Sequence, residues 1–143
     1  MRSHLAEKID IIQGEQPVRI IYHDGLVIPN EQLTKAADPA ISYAYCSDTK
    51  FSKRVIKNVM GADWLYHEAT YDESLRIKAH KRYHSTALEA ATVARDAGVK
   101  QLILGHFSKR YIDETPLLDE ARSVFANTRL ANEGLTIDLN ALE

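Results

Sequence analysis

Short apolar runs alternate with amphipathic stretches along most of this chain, and their order predicts a fold class before any single residue does. Residues 19–23 and 26–28 are β-type runs flanking Asp24-Gly25, a dipeptide that favours a tight hairpin turn because both positions tolerate a left-handed backbone. Pro29 and Pro39 bracket a polar connection, after which the apolar run 41–46 predicts a buried strand that stops at Ser47-Asp48-Thr49. From Ser52 onward, Val55, Ile56, Val59 and Met60 fall on one helical stripe, and Gly61 supplies the stop. Residues 64–67 predict the next strand and 72–82 a helix. Thr86-Ala87-Leu88-Glu89 has the spacing of a capping box, in which hydroxyl and carboxylate each take an amide that a helix start leaves unpaired. Ala87, Ala91, Ala94 and Gly98 line one side of that helix, a small-residue face that allows close approach to a sheet. Residues 99–104 predict a strand ending at Gly105-His106. Thr115-Pro116 predicts a further helix, with Thr115 as capping hydroxyl and Leu117, Leu118, Ala121, Val124 and Phe125 as its apolar face. A short strand over 136–139 closes the series.

Strands separated by single helices run parallel in one sheet, so Asp48, Glu68 and His106 are expected at its common C-terminal edge, where ligand sites of such sheets lie. With 143 residues, 45% of them hydrophobic, and no repeat or Gly/Ser linker, residues 1–143 read as one domain. No apolar run approaches the roughly 18 residues of a membrane span, and residues 1–15 lack a signal-peptide pattern. A cytoplasmic protein without membrane partners is the expectation. Cys46, inside an apolar run, reads as a buried thiol. A net charge of −2 speaks against a nucleic-acid binder, but its distribution changes the picture. Lys50, Lys53, Arg54 and Lys57 lie in one stretch without acids, and Arg76, Lys78, Lys81 and Arg82 in another. Away from a catalytic motif these would be two solvated helix faces.

The chemistry lies in four clusters: Cys46-Ser47-Asp48-Thr49, His67-Glu68-Ala69-Thr70, His84-Ser85-Thr86 and His106-Phe107-Ser108-Lys109-Arg110-Tyr111. Each is weak alone, since a lone Asp at a strand end caps a turn and a His before a capping Thr packs at a helix entry. Together they say more. A carboxylate and a neutral imidazole arriving at one sheet edge suit a borderline-soft divalent metal such as zinc, while a further His and Glu offer a proton donor with its orienter.

In this order the clusters resemble the C-terminal half of the ribonuclease Z family of the metallo-β-lactamase superfamily, from about Gly14 to the end of the sequence. The Asp24-Gly25 hairpin and the Asn132-Glu133-Gly134 turn are also similar to that family. The resemblance implies an α/β fold, half of an αβ/βα sandwich, with a mixed sheet and helices on its outer face. It implies a zinc-dependent endoribonuclease that removes the 3′ trailer from precursor tRNA. Asp48 resembles the carboxylate that bridges two zinc ions, and His106 the His that completes one coordination shell. His84 resembles the proton donor to the departing oxygen, with Glu68 the carboxylate that holds its imidazole. Ser108, Lys109 and Arg110 directly follow a metal ligand and are candidate phosphate contacts; on the other reading Arg110 and Tyr111 brace the loop.

Two departures qualify the resemblance. Gly105 stands where the family more often has Thr, which implies a looser loop. The family's first metal motif, His-x-His-x-Asp-His, is absent from these residues: His4, His23, His67, His80, His84 and His106 form no His-x-His pair. The central His ligand and most of the arm that grips tRNA are absent as well. His4 and His23 read as surface residues. The expectation is therefore a fragment of a longer enzyme, with an incomplete zinc site and no activity alone. Its half-fold would expose an apolar inner face from the runs 41–46 and 99–104, which predicts a homodimer. Three readings compete. An interaction module that has lost catalysis would let Glu68 and His84 drift apart. Another hydrolase of the superfamily would share Asp48 and His106 but lack the His-Glu-Ala-Thr and His-Ser-Thr pair. A receiver-like phosphoacceptor domain would need an acidic pair near the N-terminus to hold magnesium, which is missing.

Overall fold

The computed structural model describes residues 6–10, 19–22, 27–29, 32, 35 and 38–139, and the chain divides into two compact units, residues 1–40 and 41–143. In the first unit, β1 (Ala6–Asp10), β2 (Arg19–Tyr22) and β3 (Val27–Pro29) form a three-stranded antiparallel sheet in that order. Strands β2 and β3 pair Arg19 with Pro29 and Ile21 with Val27, as the hairpin reading requires. The Asp24-Gly25 turn, Gly14, His4 and His23 lie outside the described residues.

In the second unit, β4 (Tyr43–Cys46), β5 (Trp64–Glu68), β6 (Gln101–Gly105) and β7 (Thr128–Leu130) form a four-stranded parallel sheet whose order follows the chain. Register sets Cys46 beside His67 and Glu68 beside Gly105. The strand ends are thus level. Among the described residues, the antiparallel pairing of the expected mixed sheet is confined to the first unit.

The period of a strand sends alternate side chains to opposite faces. Ala44, Cys46, Leu65, Leu102 and Leu104 form one core with Val55 and Ile56 of α1 (Lys53–Asn58), Ala90, Ala91 and Ala94 of α3 (Ala87–Ala97), and Leu117 and Ala121 of α4 (Thr115–Arg122). Leu65, Leu102 and Leu104 are completely buried, so truncating any of them to Ala costs about 2–5 kcal/mol. Helix α3 has the predicted capping box between Thr86 and Glu89 and ends at Gly98, whose φ of 64° is the left-handed cap position. Its alanine face is fully buried.

Several expectations change. The run 41–46, read as a buried strand, forms an edge strand over Tyr43–Cys46 with Tyr43 and Tyr45 exposed. Helix α1 ends at Asn58 with Val59 as its cap, before Gly61, and Met60 is exposed. The helix over 72–82 begins as a 3-10 turn, Glu73–Leu75, before α2 (Arg76–Lys81). Helix α4 has Glu114 and not Thr115 as its N-cap, with no side-chain capping bond, and Thr115 is its first residue, its N–H donating to Asp113 Oδ1 at 2.9 Å. Residues 136–139 form no strand. They belong to an irregular segment against the other face of the sheet, where the Trp64 indole N–H donates to the Leu139 carbonyl at 3.0 Å. Leu135, Ile137 and Leu139 line an open groove of about 340 Å³ with Tyr43, Tyr66 and Ile103. The strand that does form, β7, went unpredicted because Thr-Arg-Leu is too short and too polar to show a period.

Candidate functional site

Level strand ends bring the predicted residues together. Asp48 lies two residues past β4, Glu68 is the last residue of β5, and His106 follows β6 directly. His84 arrives from the turn between α2 and α3.

Glu68 is completely buried, and four donors converge on its carboxylate. Oε1 accepts from His84 Nδ1 at 2.9 Å and from the Thr49 N–H at 3.1 Å. Oε2 accepts from the Thr70 N–H at 3.1 Å and the Thr70 hydroxyl at 2.7 Å. Such an array compensates the loss of hydration and leaves the carboxylate no freedom to turn. His84 Nδ1 is 3.9 Å from Asp48 Oδ1, so Glu68 and not Asp48 is its partner. The separation that an interaction module would tolerate between Glu68 and His84 is not seen.

His106 points Nε2 at Asp48 Oδ1, 3.3 Å away, and its Nδ1 lies 2.9 Å from Thr70 Oγ1. The His84 and His106 rings are 5.3 Å apart. Asp48, His84 and His106 each offer a ligand atom within 4.8 Å of the others, the one such group among the described residues. Imidazole nitrogen with carboxylate oxygen is a donor set that fits a borderline-soft divalent ion, and three donors are fewer than a closed four-coordinate site needs. The side chains themselves thus fit a metal incompletely.

Backbone strain collects at the same place. Asp48, Tyr83 and His106 are the described non-glycine residues with positive φ, at 50°, 60° and 60°. Left-handed backbone costs an L-residue about 1–2 kcal/mol. At Tyr83 it ends α2, with the Tyr83 N–H on the His80 carbonyl at 3.2 Å and the His84 N–H on the Ala79 carbonyl at 2.9 Å. That pattern usually carries glycine. Here it turns the chain so that His84 faces Glu68.

The loop after His106 is tied down by the Ser108 N–H on the Thr70 carbonyl at 3.1 Å. The Tyr111 hydroxyl accepts from the Asp72 N–H at 2.9 Å and donates to Asp72 Oδ2 at 2.5 Å. Burial, and then that bond to Asp72, push the Tyr111 phenol up to about 12. Tyr111 braces the loop. Lys109 and Arg110 are exposed, and the Arg110 guanidinium lies 5.5 Å from the centre of the Tyr71 ring. Lys50 Nζ sits 5.4 Å over the Tyr83 ring, so both basic segments approach the site, Lys78 being 5.8 Å from Tyr71.

Gly105 does not loosen a loop. It is buried at the end of β6, and a Cβ there would lie 2.3 Å from the Tyr66 hydroxyl oxygen and 2.6 Å from its ring. The Tyr66 ring fills the space, stacked on Tyr45 at 4.5 Å. Cys46 is half-buried and burial raises its thiol pKa, in keeping with a core thiol. His67 is fully buried, with Nδ1 2.8 Å from the Glu68 carbonyl oxygen and Nε2 without a partner; burial depresses its pKa. Sequence reasoning passed over Thr70 as a site residue. Its place two positions after Glu68 was the available signal, since residues two apart on an extended chain share a side.

No protein-family model matches the chain. It is 53% identical over 116 residues to a ribonuclease Z of Bacteroides fragilis, covering 81% of this chain and 38% of the relative. To a ribonuclease Z of Porphyromonas gingivalis it is 52% identical over 135 residues, covering 94% of this chain and 43% of the relative. The chain spans about two fifths of the length of these curated relatives. Among solved structures, a metallo-beta-lactamase fold protein from Bacillus subtilis matches 83% of this chain and 42% of its own, with a TM-score of 0.63 at 22% identity. The fold is that of the metallo-β-lactamases.

Proposed function

This chain is a sequence relative of the ribonuclease Z family, and we propose that it supplies one part of a zinc-dependent endoribonuclease that removes the 3′ trailer from precursor tRNA. The observation that carries the proposal is the 2.9 Å contact between His84 Nδ1 and buried Glu68, set beside the Asp48 and His106 donors. Asp48 and His106 hold metal; a bound divalent ion supplies positive charge against the phosphoryl oxygens and acidity to the attacking water. Glu68 fixes the His84 ring with Nδ1 protonated, so Nε2 is the nitrogen that delivers a proton. In the imidazolium form that ring carries a second proton, on Nε2; as water attacks phosphorus and the bond to the leaving oxygen breaks, the Nε2 proton passes to the leaving oxygen, and the proton shed by the attacking water goes to solvent. Lys109 and Arg110, exposed beside His106, meet the phosphate backbone. With an incomplete donor set, the 143-residue chain by itself turns over no substrate. It works in the cytoplasm, as a homodimer or joined to further chain.

Two variants separate the roles. In a catalytically competent assembly containing this chain, His84→Ala lowers trailer cleavage by about 10²–10⁴-fold and keeps zinc, because it removes a general acid. Asp48→Ala loses zinc and cleavage together. Equal zinc loss in both, read by metal analysis of the purified proteins, overturns the assignment.

A further inference from the structure

We propose that Thr70 is a positioning residue whose single hydroxyl proton sets the tautomer of His106 and joins the proton-donor pair to the metal ligand. The inference deepens the reading above and rests on it only for the identity of His106 as a ligand. Thr70 is buried, and its Oγ1 lies within hydrogen-bond distance of four groups: Glu68 Oε2 at 2.7 Å, His106 Nδ1 at 2.9 Å, the His106 carbonyl at 3.0 Å and His84 Nδ1 at 3.3 Å. It has one proton to give.

The distances and the chemistry of the partners decide where that proton goes. Glu68 Oε2 is the shortest contact and belongs to a carboxylate with no exposed surface. Turning the hydroxyl proton elsewhere would press a lone pair of Oγ1 against the carboxylate oxygen in a place water does not reach. Of the two groups that can only accept, the ionised Glu68 Oε2 at 2.7 Å is nearer and stronger than the His106 carbonyl oxygen at 3.0 Å, so the proton lies toward Glu68 and an Oγ1 lone pair faces the His106 ring. His106 Nδ1 can satisfy that geometry only by carrying hydrogen and donating. A neutral ring protonated at Nδ1 has a bare lone pair at Nε2, and Nε2 is the atom 3.3 Å from Asp48 Oδ1. Two lone-pair atoms facing each other make no hydrogen bond but do form two corners of a cation site. At the other end of the same chain of bonds, His84 donates from Nδ1 to Glu68 Oε1. One threonine thus holds the ligand ring in its metal-accepting form and, through Glu68, orients the proton donor.

The test uses the 15N-labelled 143-residue chain without metal, at a pH where its imidazoles are neutral, with long-range proton–nitrogen spectra assigning the His106 tautomer. Wild type and Thr70→Ser should show His106 protonated at Nδ1, and Thr70→Val, which keeps the shape and loses the hydroxyl, should shift the proton to Nε2. Titration with zinc chloride alone should show Thr70→Val weaker by about 10–100-fold, as loss of an outer-shell partner predicts, with Thr70→Ser near wild type. A wild-type His106 protonated at Nε2 overturns the proposal without any variant having to fold. So does a Thr70→Val chain with an unchanged tautomer. A wild-type chain that shows the Nδ1 proton but takes up no zinc supports the threonine's role and removes the metal assignment instead.

Discussion

Adding one carbon at Gly105 should change stability with a sign that depends on Tyr66. In a strand interior, Gly→Ala ordinarily gains about 0.5–1 kcal/mol, because glycine has more backbone freedom to lose on folding. At Gly105 the new Cβ would sit 2.3 Å from the Tyr66 hydroxyl oxygen, 2.6 Å from Cε2 and 2.7 Å from Cζ, all closer than carbon approaches any heavy atom. The ring must yield. It lies at 15° to the Tyr45 ring, and moving it gives up part of a stacking contact worth about 0.5–1.5 kcal/mol, beyond the general cost of about 1–3 kcal/mol for overpacking. Gly105→Ala should therefore destabilise the wild-type chain by roughly 0.5–4 kcal/mol net of the backbone gain, with about 2 kcal/mol the central figure. With Tyr66→Ala in place the three nearest clashing atoms are gone, and the same change should stabilise by about 0.5–1 kcal/mol. Urea unfolding of the four proteins, followed by circular dichroism, gives the coupling directly, on the order of 2 kcal/mol. A coupling below about 0.5 kcal/mol would mean that the two side chains act independently and that the close approach does not constrain position 105.

Three further outcomes follow from geometry already described. Tyr83→Gly should raise stability by about 1 kcal/mol in the same unfolding assay, since φ of 60° at a helix end favours glycine; destabilisation would show that ring contacts outweigh the strain. His67 is held neutral by burial, whereas an unfolded chain protonates it below its ordinary value of 6.5. The folded pKa is the lower one, so its contribution is present above 6.5 and is lost as pH falls below that. His67→Gln should shrink the loss of stability on acidification below that value, and an unchanged slope would exclude His67 as its source. Light scattering at low micromolar concentration should find a homodimer: of the apolar face expected from the runs 41–46 and 99–104 the second is buried, but Tyr43 and Tyr45 stay 47% and 63% exposed on the sheet face away from the helices, and Tyr43→Glu with Tyr45→Glu should return monomer. A wild-type monomer under those conditions refutes that reading.

What the sequence disclosed, it disclosed through local pattern. The helix stop at Gly98 and the capping box at Thr86 delimit a crossover, and parallel crossovers oblige Asp48, Glu68 and His106 to share an edge. What stayed hidden depends on partners distant in sequence. Gly105 looked like slack until Tyr66, across the sheet, was seen filling its side-chain space. The left-handed backbone at Asp48, Tyr83 and His106 has no signature in residue type, because none of these residues prefers it strongly enough to announce it. Segment 131–139 takes its course from Trp64 and the groove beside Tyr43, not from its own alternation.

The strand order of the second unit also bears on how it is made. In a sheet numbered β4-β5-β6-β7 from edge to edge, no strand has to be inserted later between two already paired. Each crossover lays its strand on the growing edge, with α1, α3 and α4 following on the same side. Synthesis runs in that direction, so a nascent chain can add one strand and one helix at a time as it leaves the ribosome. The last of these additions is β7, which sets Thr128 beside Leu102. The edge that carries Asp48, Glu68 and His106 needs only β4 to β6 and the turn that carries His84, so it can close before the final helix and strand have docked.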